Sequence, residues 1–268
     1  MPRDPSLAPV GVYDSGVGGI SVLRALRKAL PHESYVYIAD SRHAPYGDRS
    51  QRFLQARARQ VVGFLAALPV KAVVLACNTV SVVAATSLRA EFPLPIVAME
   101  PAIRPATRAT RSGTVLVLAT ASTVRSRAVA RLCSAFGGNV RIILQGCPGL
   151  AERVERGELA SPATVDLLRA YLRPGLEAGA DTIVLGCTHY AFLKAQIARL
   201  AGPTVAIIEP SEAVALQLER RIGTAQRAPT AAAGSTVFYA SGNATRLQSF
   251  LALIGETPHA VRAMPGDA

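Results

Sequence analysis

The sequence contains no tryptophan, and only seven tyrosines and seven phenylalanines among its 268 residues. Proteins that bind single-stranded nucleic acid stack bases on aromatic side chains, so a base-stacking surface is poorly supplied here. The formal net charge is +11, and the arginines are scattered along amphipathic stretches such as "VLRALRK" and "RFLQARARQ". This pattern favours solvated helix faces over nucleic-acid binding as the main function. It leaves open a nucleic acid or a protein as a secondary partner.

Long apolar runs are also missing from the sequence. No run approaches the ~20 apolar residues that a membrane-spanning helix needs. The opening "MPRDPSLAPVGVYDSG" lacks the apolar stretch of a secretory signal. We therefore expect a cytoplasmic protein without a membrane partner. Thiols stay reduced in that compartment, so we do not expect the four cysteines to form a disulfide framework.

The short motifs that bind metals do not occur either. The sequence has neither a CxxC pair nor an HExxH motif, and its cysteines have no close cysteine neighbour. Cys187 and His189 by themselves would make a poor zinc site. We therefore expect no metal.

What the sequence does contain is an alternation of short apolar runs with amphipathic stretches. "VGVYDSG" leads into "GISVLRALRKAL", and "AVVLACNT" leads into "VSVVAATSLRAEF". Continuous apolar runs of this length are typical of parallel strands that are buried on both faces. The sequence therefore predicts an α/β fold with mostly parallel sheets.

The second half of the chain repeats the first in outline. The pattern restarts around Arg111–Gly113, and "LVLATAS" and "VLGCTH" stand about a hundred residues after "GVYDSG" and "VLACNT". This repeat predicts two pseudo-symmetric α/β lobes with the active site in the cleft between them. A tail of helix, strand and helix follows residue 210, and we predict that it returns to the first lobe. The predicted lobes are then residues 1–100 plus 210–268, and residues 101–209.

Four polar motifs follow predicted strands. Ligands of open α/β sheets bind beyond the carboxyl ends of the strands, so these motifs form the candidate site. They are "YDSGVGG" (Tyr13–Gly19), "ACNT" (Ala76–Thr79), "ATASTV" (Ala119–Val124) and "GCTH" (Gly186–His189).

Two of these motifs carry a cysteine. Cys77 and Cys187 each end a strand and precede a helix, whose N-terminus would favour the thiolate. If the lobes face each other, the two thiols approach one ligand from opposite sides. One thiolate can then remove a proton from a carbon while the opposing thiol supplies one, which inverts a stereocentre. Cys133 and Cys147 are interpreted as small hydrophobic packing residues.

Other side chains near the thiols carry weaker signals. Asp14 follows the first strand, where a carboxylate could orient a proton-transfer network or hold an ammonium group. His189 lies two residues after the second cysteine, whereas His43 is interpreted as solvated and His32 and His259 as surface residues. The glycines of "DSGVGG" would permit a phosphate cradle, but the loop matches neither GxGxxG nor the P-loop motif.

These motifs resemble those of one protein family, the cofactor-independent glutamate racemases of the aspartate/glutamate racemase group. The resemblance covers nearly the whole chain and includes "GVYDSGVGGISVL", "APYGDRS", "VLACNTVS", "VLATASTVRS", "GCPGLAERVERGEL" and "VLGCTHYAFL". It implies two α/β lobes, no pyridoxal phosphate or other cofactor, and interconversion of L- and D-glutamate for peptidoglycan synthesis. It also implies a homodimer, in an arrangement that the sequence does not specify.

The resemblance implies roles for individual residues. Cys77 would face the α-hydrogen of the D-enantiomer and Cys187 that of the L-enantiomer. Asp14, His189 and Glu155 would assist the thiols. The residues that would bind substrate are Asp14, Ser15, Tyr46, Gly47, Asn78, Thr79, Thr120, Thr123, Thr188 and His189.

The chain departs from the family pattern away from the thiols. It has His43 where the family often has arginine, Ala191 where the family often has proline, and "EPSE" (Glu209–Glu212) in place of "DSGE". These departures concern loops and regulation rather than the reaction. Two alternative functions are a racemase for aspartate or another acidic amino acid, and a regulatory binding protein with the same fold. The pair of cysteines argues against the second, because binding alone would not need both.

Overall fold

The computed structural model describes residues 5–224, 226–230, 233–256 and 260–265, so His259 lies outside the described residues. The strands are β1 (Val10–Asp14), β2 (Tyr35–Ala39), β3 (Ala72–Leu75), β4 (Ile96–Ala98), β5 (Thr114–Ala119), β6 (Arg141–Gly146), β7 (Thr182–Gly186), β8 (Ala206–Ile208), β9 (Thr236–Ala240) and β10 (Val261–Ala263). The α-helices are α1 (Ile20–Ala29), α2 (Gln51–Ala67), α3 (Asn78–Glu91), α4 (Ile103–Ala109), α5 (Ala121–Val124), α6 (Arg127–Phe136), α7 (Leu150–Glu155), α8 (Pro162–Glu177), α9 (Lys194–Ala201), α10 (Ser211–Ile222) and α11 (Ala244–Leu253). Short 3-10 turns span Pro5–Leu7, Tyr46–Asp48 and Thr188–Leu193.

In the part of the chain that the structure describes, the strands form two parallel sheets. The first has the order β10-β9-β2-β1-β3-β4, and the second has the order β6-β5-β7-β8. We refer to the parts built on them as the first and second lobes. The segment β2-β1-β3-β4 has the same order as β6-β5-β7-β8, so the second sheet repeats the first. The prediction of an α/β fold with two pseudo-symmetric lobes and mostly parallel sheets is confirmed.

Both ends of the described chain contribute to the first sheet. Strand β9 pairs with β2, and β10 pairs with β9. Helix α10, which precedes β9, packs against α1. The division of the chain at residues 100 and 210 stays a prediction.

Burial explains why the central strands form where the apolar runs predict them. Every residue of β1, β2 and β3 is buried, as parallel strands covered by helices on both faces require. Several helices begin at serine caps. Ser50 Oγ accepts the Phe53 N–H at 3.2 Å, and Ser161 caps α8 directly before Pro162 at its first position.

One apolar cluster crosses from lobe to lobe and positions the two sheets. It contains Val17 and Ile20 of the first lobe together with Leu150, Val154 and Leu193 of the second. These residues lie in the segments that follow β1, β6 and β7. Among the helices described here, none combines the length and the apolar character that a membrane crossing requires.

Candidate active site

A cavity of about 230 Å³ lies where the carboxyl ends of the two sheets face each other. Both lobes contribute to it, and both motif cysteines line it. The first lobe supplies Ser15, Tyr46, Gly47, Cys77, Asn78 and Thr79, and the second supplies Thr120, Cys147, Glu155, Cys187, His189 and Tyr190. The cleft between the lobes therefore brings together motifs that lie far apart in the chain.

Cys77 lies one residue beyond the end of β3, after Ala76, and caps α3 with an extended backbone at φ −131° and ψ 120°. Its side chain is buried, and its Sγ donates to the Ser15 hydroxyl at 3.7 Å. Burial is the largest cause that raises the pKa of the Cys77 thiol to about 12, and the charge of Asp14 raises it further. The hydrogen bond with the Val80 N–H, in the first turn of α3, acts in the opposite direction and lowers the pKa. The first turn of α3 thus favours the thiolate, as the sequence predicts, but burial outweighs it at Cys77.

Cys187 directly follows β7 and has a similar extended backbone, at φ −144° and ψ 134°. The element after it differs from that after the first cysteine, because a 3-10 turn intervenes and α9 begins only at Lys194. The Cys187 Sγ lies 3.7 Å from Nδ1 of His189. The two strand ends therefore share their backbone geometry, while one thiol contacts a hydroxyl and the other an imidazole.

His189 lies between a thiol and a carboxylate. Its Nε2 is 2.6 Å from Oε1 of Glu155, and its side chain is only 5% exposed. Burial by itself lowers the pKa of His189, but the hydrogen bonds to Cys187 and Glu155 and the charges of these groups together raise it well above its usual value. The Glu155 carboxylate thus favours the protonated form of the imidazole that lies beside Cys187.

The glycine-rich loop after β1 approaches these second-lobe groups closely. The Val17 N–H donates to Oε1 of Glu155 at 2.8 Å. A side chain at Gly16 would collide with the Glu155 carboxylate, and one at Gly18 would collide with the His189 ring. The glycines thus permit contact between the lobes. Because a protein carboxylate takes the Val17 N–H, this loop does not use it to cradle a phosphate.

Asp14 ends β1 and is fully buried behind the cavity wall. Its Oδ1 accepts the Gly16 N–H at 2.8 Å, and its Oδ2 accepts the Thr188 hydroxyl at 3.1 Å. Burial raises the pKa of Asp14 to about 6, although the charge of His189 opposes the shift. Neither Asp14 nor Thr188 lines the cavity, so each reaches a ligand only through its neighbours.

Three threonines join the lobes beside the cavity. Thr79 Oγ1 of the first lobe lies 3.0 Å from Thr120 Oγ1 and 3.3 Å from Thr123 Oγ1 of the second. Thr79 and Thr120 line the cavity, whereas Thr123 is fully buried behind them. The hydroxyl groups thus connect the first turn of α3 to that of α5.

Asn78 is the lining residue whose polar atoms have no partner. Its side chain is buried, and neither Oδ1 nor Nδ2 makes a hydrogen bond within the described residues. A buried amide without partners costs free energy, so such groups in native proteins usually meet a ligand or water. The amide is both a donor and an acceptor, which suits a carboxylate or an ammonium group.

Tyr46 and Gly47 reach the cavity on the 3-10 turn Tyr46–Asp48. The Tyr46 hydroxyl donates to Oδ2 of Asp40 and lies 2.7 Å from the Tyr13 hydroxyl. Asp40 is fully buried and forms two hydrogen bonds with Arg57, at 2.6 and 2.9 Å. Burial would raise the pKa of Asp40, but hydrogen bonds, first that from Arg57, lower it below its usual value. Because the Tyr46 hydroxyl is hydrogen-bonded to Asp40 and Tyr13, the ring and the peptide group of Tyr46 are the parts that line the cavity.

Sequence reasoning missed several lining residues, of which Cys147 is the most informative. Cys147 follows β6 as the other two cysteines follow β3 and β7, and the same strand-end signal would have found it. Tyr190 and Arg246 also line the cavity, and no signal in the sequence marked Arg246. His43 lies outside the lining, with Nδ1 3.2 Å from the Asp40 carboxylate.

The departures from the family pattern lie away from this cavity. Ala191, Glu209 and Glu212 all border a separate groove between α1 and α10. Cys133 is partly buried in α6 and does not line the cavity. Across the described ranges, no three His, Cys, Asp or Glu side chains are arranged to hold a metal ion. The side chains of the cavity that can transfer protons are thiols, an imidazole and carboxylates.

Residues 20–218 match the family model described as Asp/Glu/hydantoin racemase. The glutamate racemase of Ectopseudomonas mendocina is 49% identical over 250 residues, which cover 93% of this chain and 95% of that protein. The crystal structure of glutamate racemase isoform RacE1 from Bacillus anthracis superposes with a TM-score of 0.88 at 27% identity, covering 97% of this chain and 98% of that chain. The Escherichia coli glutamate racemase, crystallised with L-glutamate and the activator UDP-MurNAc-ala, superposes with a TM-score of 0.84 at 30% identity, covering 96% and 98%.

Proposed function

Because this chain is an amino-acid racemase of the Asp/Glu/hydantoin racemase family, we propose that it interconverts L- and D-glutamate with Cys77 and Cys187 as its two acid/bases. The observation that carries the proposal is the pair of buried thiols, one from each lobe, that line a single cavity. Glutamate as the substrate is supported by the name of the relative at 49% identity and by the L-glutamate bound to the Escherichia coli enzyme.

The surroundings of the two thiols suggest their roles in each direction. With L-glutamate, a Cys187 thiolate removes the α-proton and becomes a thiol, while the Cys77 thiol gives its proton to the opposite face and becomes a thiolate. With D-glutamate the roles are exchanged. The His189 imidazole, whose pKa is raised, lies 3.7 Å from the Cys187 Sγ, and the raised pKa of the Cys77 thiol favours its protonated form; these two observations support a resting protein that is prepared for the L-enantiomer. After each turnover, a proton must return to Cys77 before the next L-glutamate reacts.

The polar lining is proposed to hold the two carboxylates and the ammonium group of the substrate. Asn78 offers an unpartnered amide, and Thr79 and Thr120 offer hydroxyl groups beside it. The α-proton of an amino acid is very weakly acidic, so oriented donors around the developing negative charge must contribute much of the catalysis. The remaining proposed substrate-binding residues are Ser15, Tyr46, Gly47 and His189 in the lining, and Asp14, Thr123 and Thr188 behind it.

Racemisation in heavy water tests this function directly. The protein is incubated with D- or L-glutamate without pyridoxal phosphate, and optical rotation and α-deuterium are followed. We expect both enantiomers to racemise and the product of each to carry deuterium from solvent. The same assay with D- and L-aspartate tests the alternative substrate. If neither amino acid reacts, the protein is not a glutamate or aspartate racemase.

We further propose that the protein supplies D-glutamate for peptidoglycan synthesis in the cytoplasm and acts as a homodimer. These proposals rest on the resemblance to glutamate racemases. Expression in a bacterial strain that requires D-glutamate should restore growth without the supplement, and the Cys77→Ser variant should not. Sedimentation of the purified protein should give twice the chain mass of 28.1 kDa. A protein that sediments at the chain mass at its working concentration would contradict the homodimer.

A further inference from the structure

The basic residues are not evenly balanced by acidic ones along the chain. Between Glu100 and Glu152 the sequence contains seven arginines and no acidic side chain. All seven arginines are exposed in the structure. This segment contains α4, α5 and α6 of the second lobe. This stretch of the second lobe therefore carries an excess of positive charge.

Helices α4 and α6 lie next to each other on one face of the second sheet. Ile103 of α4 and Val129 of α6 belong to the same apolar cluster as Val115 and Val117 of β5, and the two helices are in contact. Their outer faces each carry an exposed arginine pair four positions apart, which places both members of a pair on one side of a helix. We call Arg104, Arg108, Arg127 and Arg131 the arginine face.

The guanidinium groups of the arginine face are not neutralised by the protein. Some exposed arginines elsewhere have carboxylate partners, for example Arg59 with Glu91 at 2.6 Å and Arg169 with Asp166 at 2.9 Å. None of the four makes an ion pair in the described part of the chain, although Arg104 stacks over the Phe136 ring at 5.4 Å. The face is therefore a strongly positive surface without an internal counter-charge.

Two carboxylates border this face and do not change its sign. The Asp181 carboxylate is occupied by the Thr110 hydroxyl at 2.6 Å and by the N–H groups of Arg111 and Ser112. Glu100 is exposed at the end of β4, one turn before Arg104, and makes no ion pair with a described residue. One exposed carboxylate against the four arginines of the face leaves its local charge positive.

We propose that the arginine face binds the phosphate backbone of double-stranded nucleic acid. Arginine binds phosphate with two parallel hydrogen bonds, and a duplex presents one negative charge about every 1.7 Å of its axis. Two adjacent helices with arginines repeating roughly 5–6 Å apart can therefore meet several phosphates at once. Binding of this kind is independent of base sequence, because phosphate contacts position a protein without reading bases.

Other occupants match the face less well. A single strand would need aromatic stacking platforms, and the exposed ring here, Phe136, already lies under a guanidinium. An interface with another protein is usually centred on buried apolar anchors, and Phe136 is also the one large apolar side chain exposed on α4 or α6 within the described residues. A second copy of this face would repel the first through its like charge. The face lies outside the racemase cavity, so this inference does not depend on the proposed reaction.

Salt-dependent binding to a duplex tests the proposal. Fluorescence anisotropy of a labelled DNA duplex of mixed sequence is measured with the full chain at several salt concentrations. Four phosphate contacts predict a slope of log K against log salt near −4, and a loss of about a hundredfold in affinity between 50 and 200 mM salt. The Arg127→Ala/Arg131→Ala variant should reduce the slope by about 2.

A matched control variant distinguishes an effect of the arginine face from an effect of the total charge of the protein. Arg169→Ala/Arg173→Ala removes the same charge from a pair that is also four positions apart, on exposed turns of α8 beside acidic partners. That variant should leave the slope unchanged, and both variants should racemise glutamate as the parent does. Equal weakening by both double variants, tighter binding of a single strand, or no binding to the duplex at 50 mM salt would each overturn the proposal.

Discussion

At the residue scale, the two thiols of the cavity differ in their neighbours although their backbones are alike. The Cys77 Sγ contacts a hydroxyl, and burial raises the pKa of Cys77 to about 12. The Cys187 Sγ contacts an imidazole that is itself held by a carboxylate. The proposed two-base reaction needs one thiol and one thiolate at a time, and the different neighbours of Cys77 and Cys187 support such a division. Each thiol should therefore act on a different enantiomer.

Single substitutions of the two cysteines should uncouple proton exchange from racemisation. Cys77→Ser and Cys187→Ser are each expected to lower racemisation in both directions by at least about a hundredfold, because serine is a much weaker acid than cysteine. In heavy water, Cys77→Ser should still exchange the α-hydrogen of L-glutamate, and Cys187→Ser that of D-glutamate. Proton NMR of the α-hydrogen measures both. Cys133→Ser should behave as the parent, and loss of its activity would contradict its interpretation as a packing residue.

At the element scale, a buried network of side-chain hydrogen bonds holds the 3-10 turn Tyr46–Asp48 in place. Asp40, at the end of β2, binds the Tyr46 hydroxyl, two nitrogens of Arg57 on α2, and the Ser241 hydroxyl after β9. These residues come from four separate segments of the first lobe. The network thus holds the cavity-lining turn against the carboxyl ends of two strands. The turn is therefore already ordered before a ligand binds, and binding does not incur the entropy cost of ordering it.

Removing the anchor of this turn should weaken substrate binding more than the chemical step. We expect Tyr46→Phe and Asp40→Asn each to raise KM about tenfold, which corresponds to about 1.4 kcal/mol, with a smaller change in kcat. Steady-state kinetics with both enantiomers measures the two constants. Tyr239→Phe removes a hydroxyl whose partner is Arg262, at 3.4 Å on the surface, and should change neither. A fall in kcat with unchanged KM would show that the turn acts on the reaction rather than on binding.

At the scale of the whole molecule, the cavity is assembled at some cost in stability. Asp14 is fully buried with a pKa of about 6, above its usual 3.8. The folded protein therefore holds this proton more tightly than the unfolded chain. The stability that protonated Asp14 contributes is complete below about pH 3.8 and is lost as pH rises through about 6. From the difference of about two pKa units, the loss is about 3 kcal/mol.

Replacing Asp14 with its neutral isostere should therefore stabilise the protein while inactivating it. Asp14→Asn is expected to raise the free energy of unfolding by up to about 3 kcal/mol near pH 7.5, with little difference near pH 4. Urea unfolding at the two pH values measures this difference. Asp166→Asn, on the exposed surface of α8, is the control and should show no such pH dependence. A variant that is less stable than the parent near pH 7.5 would contradict the prediction.

Local patterns in the sequence were enough to predict the fold class and to identify Cys77 and Cys187 as candidate site residues. Apolar runs that are buried on both faces predict parallel strands, and parallel strands place everything that follows them at the same edge of the sheet. That is why "ACNT" and "GCTH" predict Cys77 and Cys187 at the carboxyl edges of their sheets, and a shared cleft follows only if the two lobes face each other. The same rule applied to "QGC" would have placed Cys147 there too, since it ends β6 in the same way.

Only the tertiary structure decided which groups meet at that edge and in what state. Asp14 and Thr188 lie behind the wall, Glu155 reaches His189 at 2.6 Å, and Asn78 is left without a partner. The contact of Asp14 with Thr188 depends on how the two lobes dock, because these residues lie 174 positions apart, whereas the contact of Glu155 with His189 depends on how α7 packs against the 3-10 turn Thr188–Leu193 within the second lobe. The ionisation of each group follows from its burial and its charged neighbours, which exist only after that docking. Local sequence patterns contain the strands and their ends, but not the distances across the cleft.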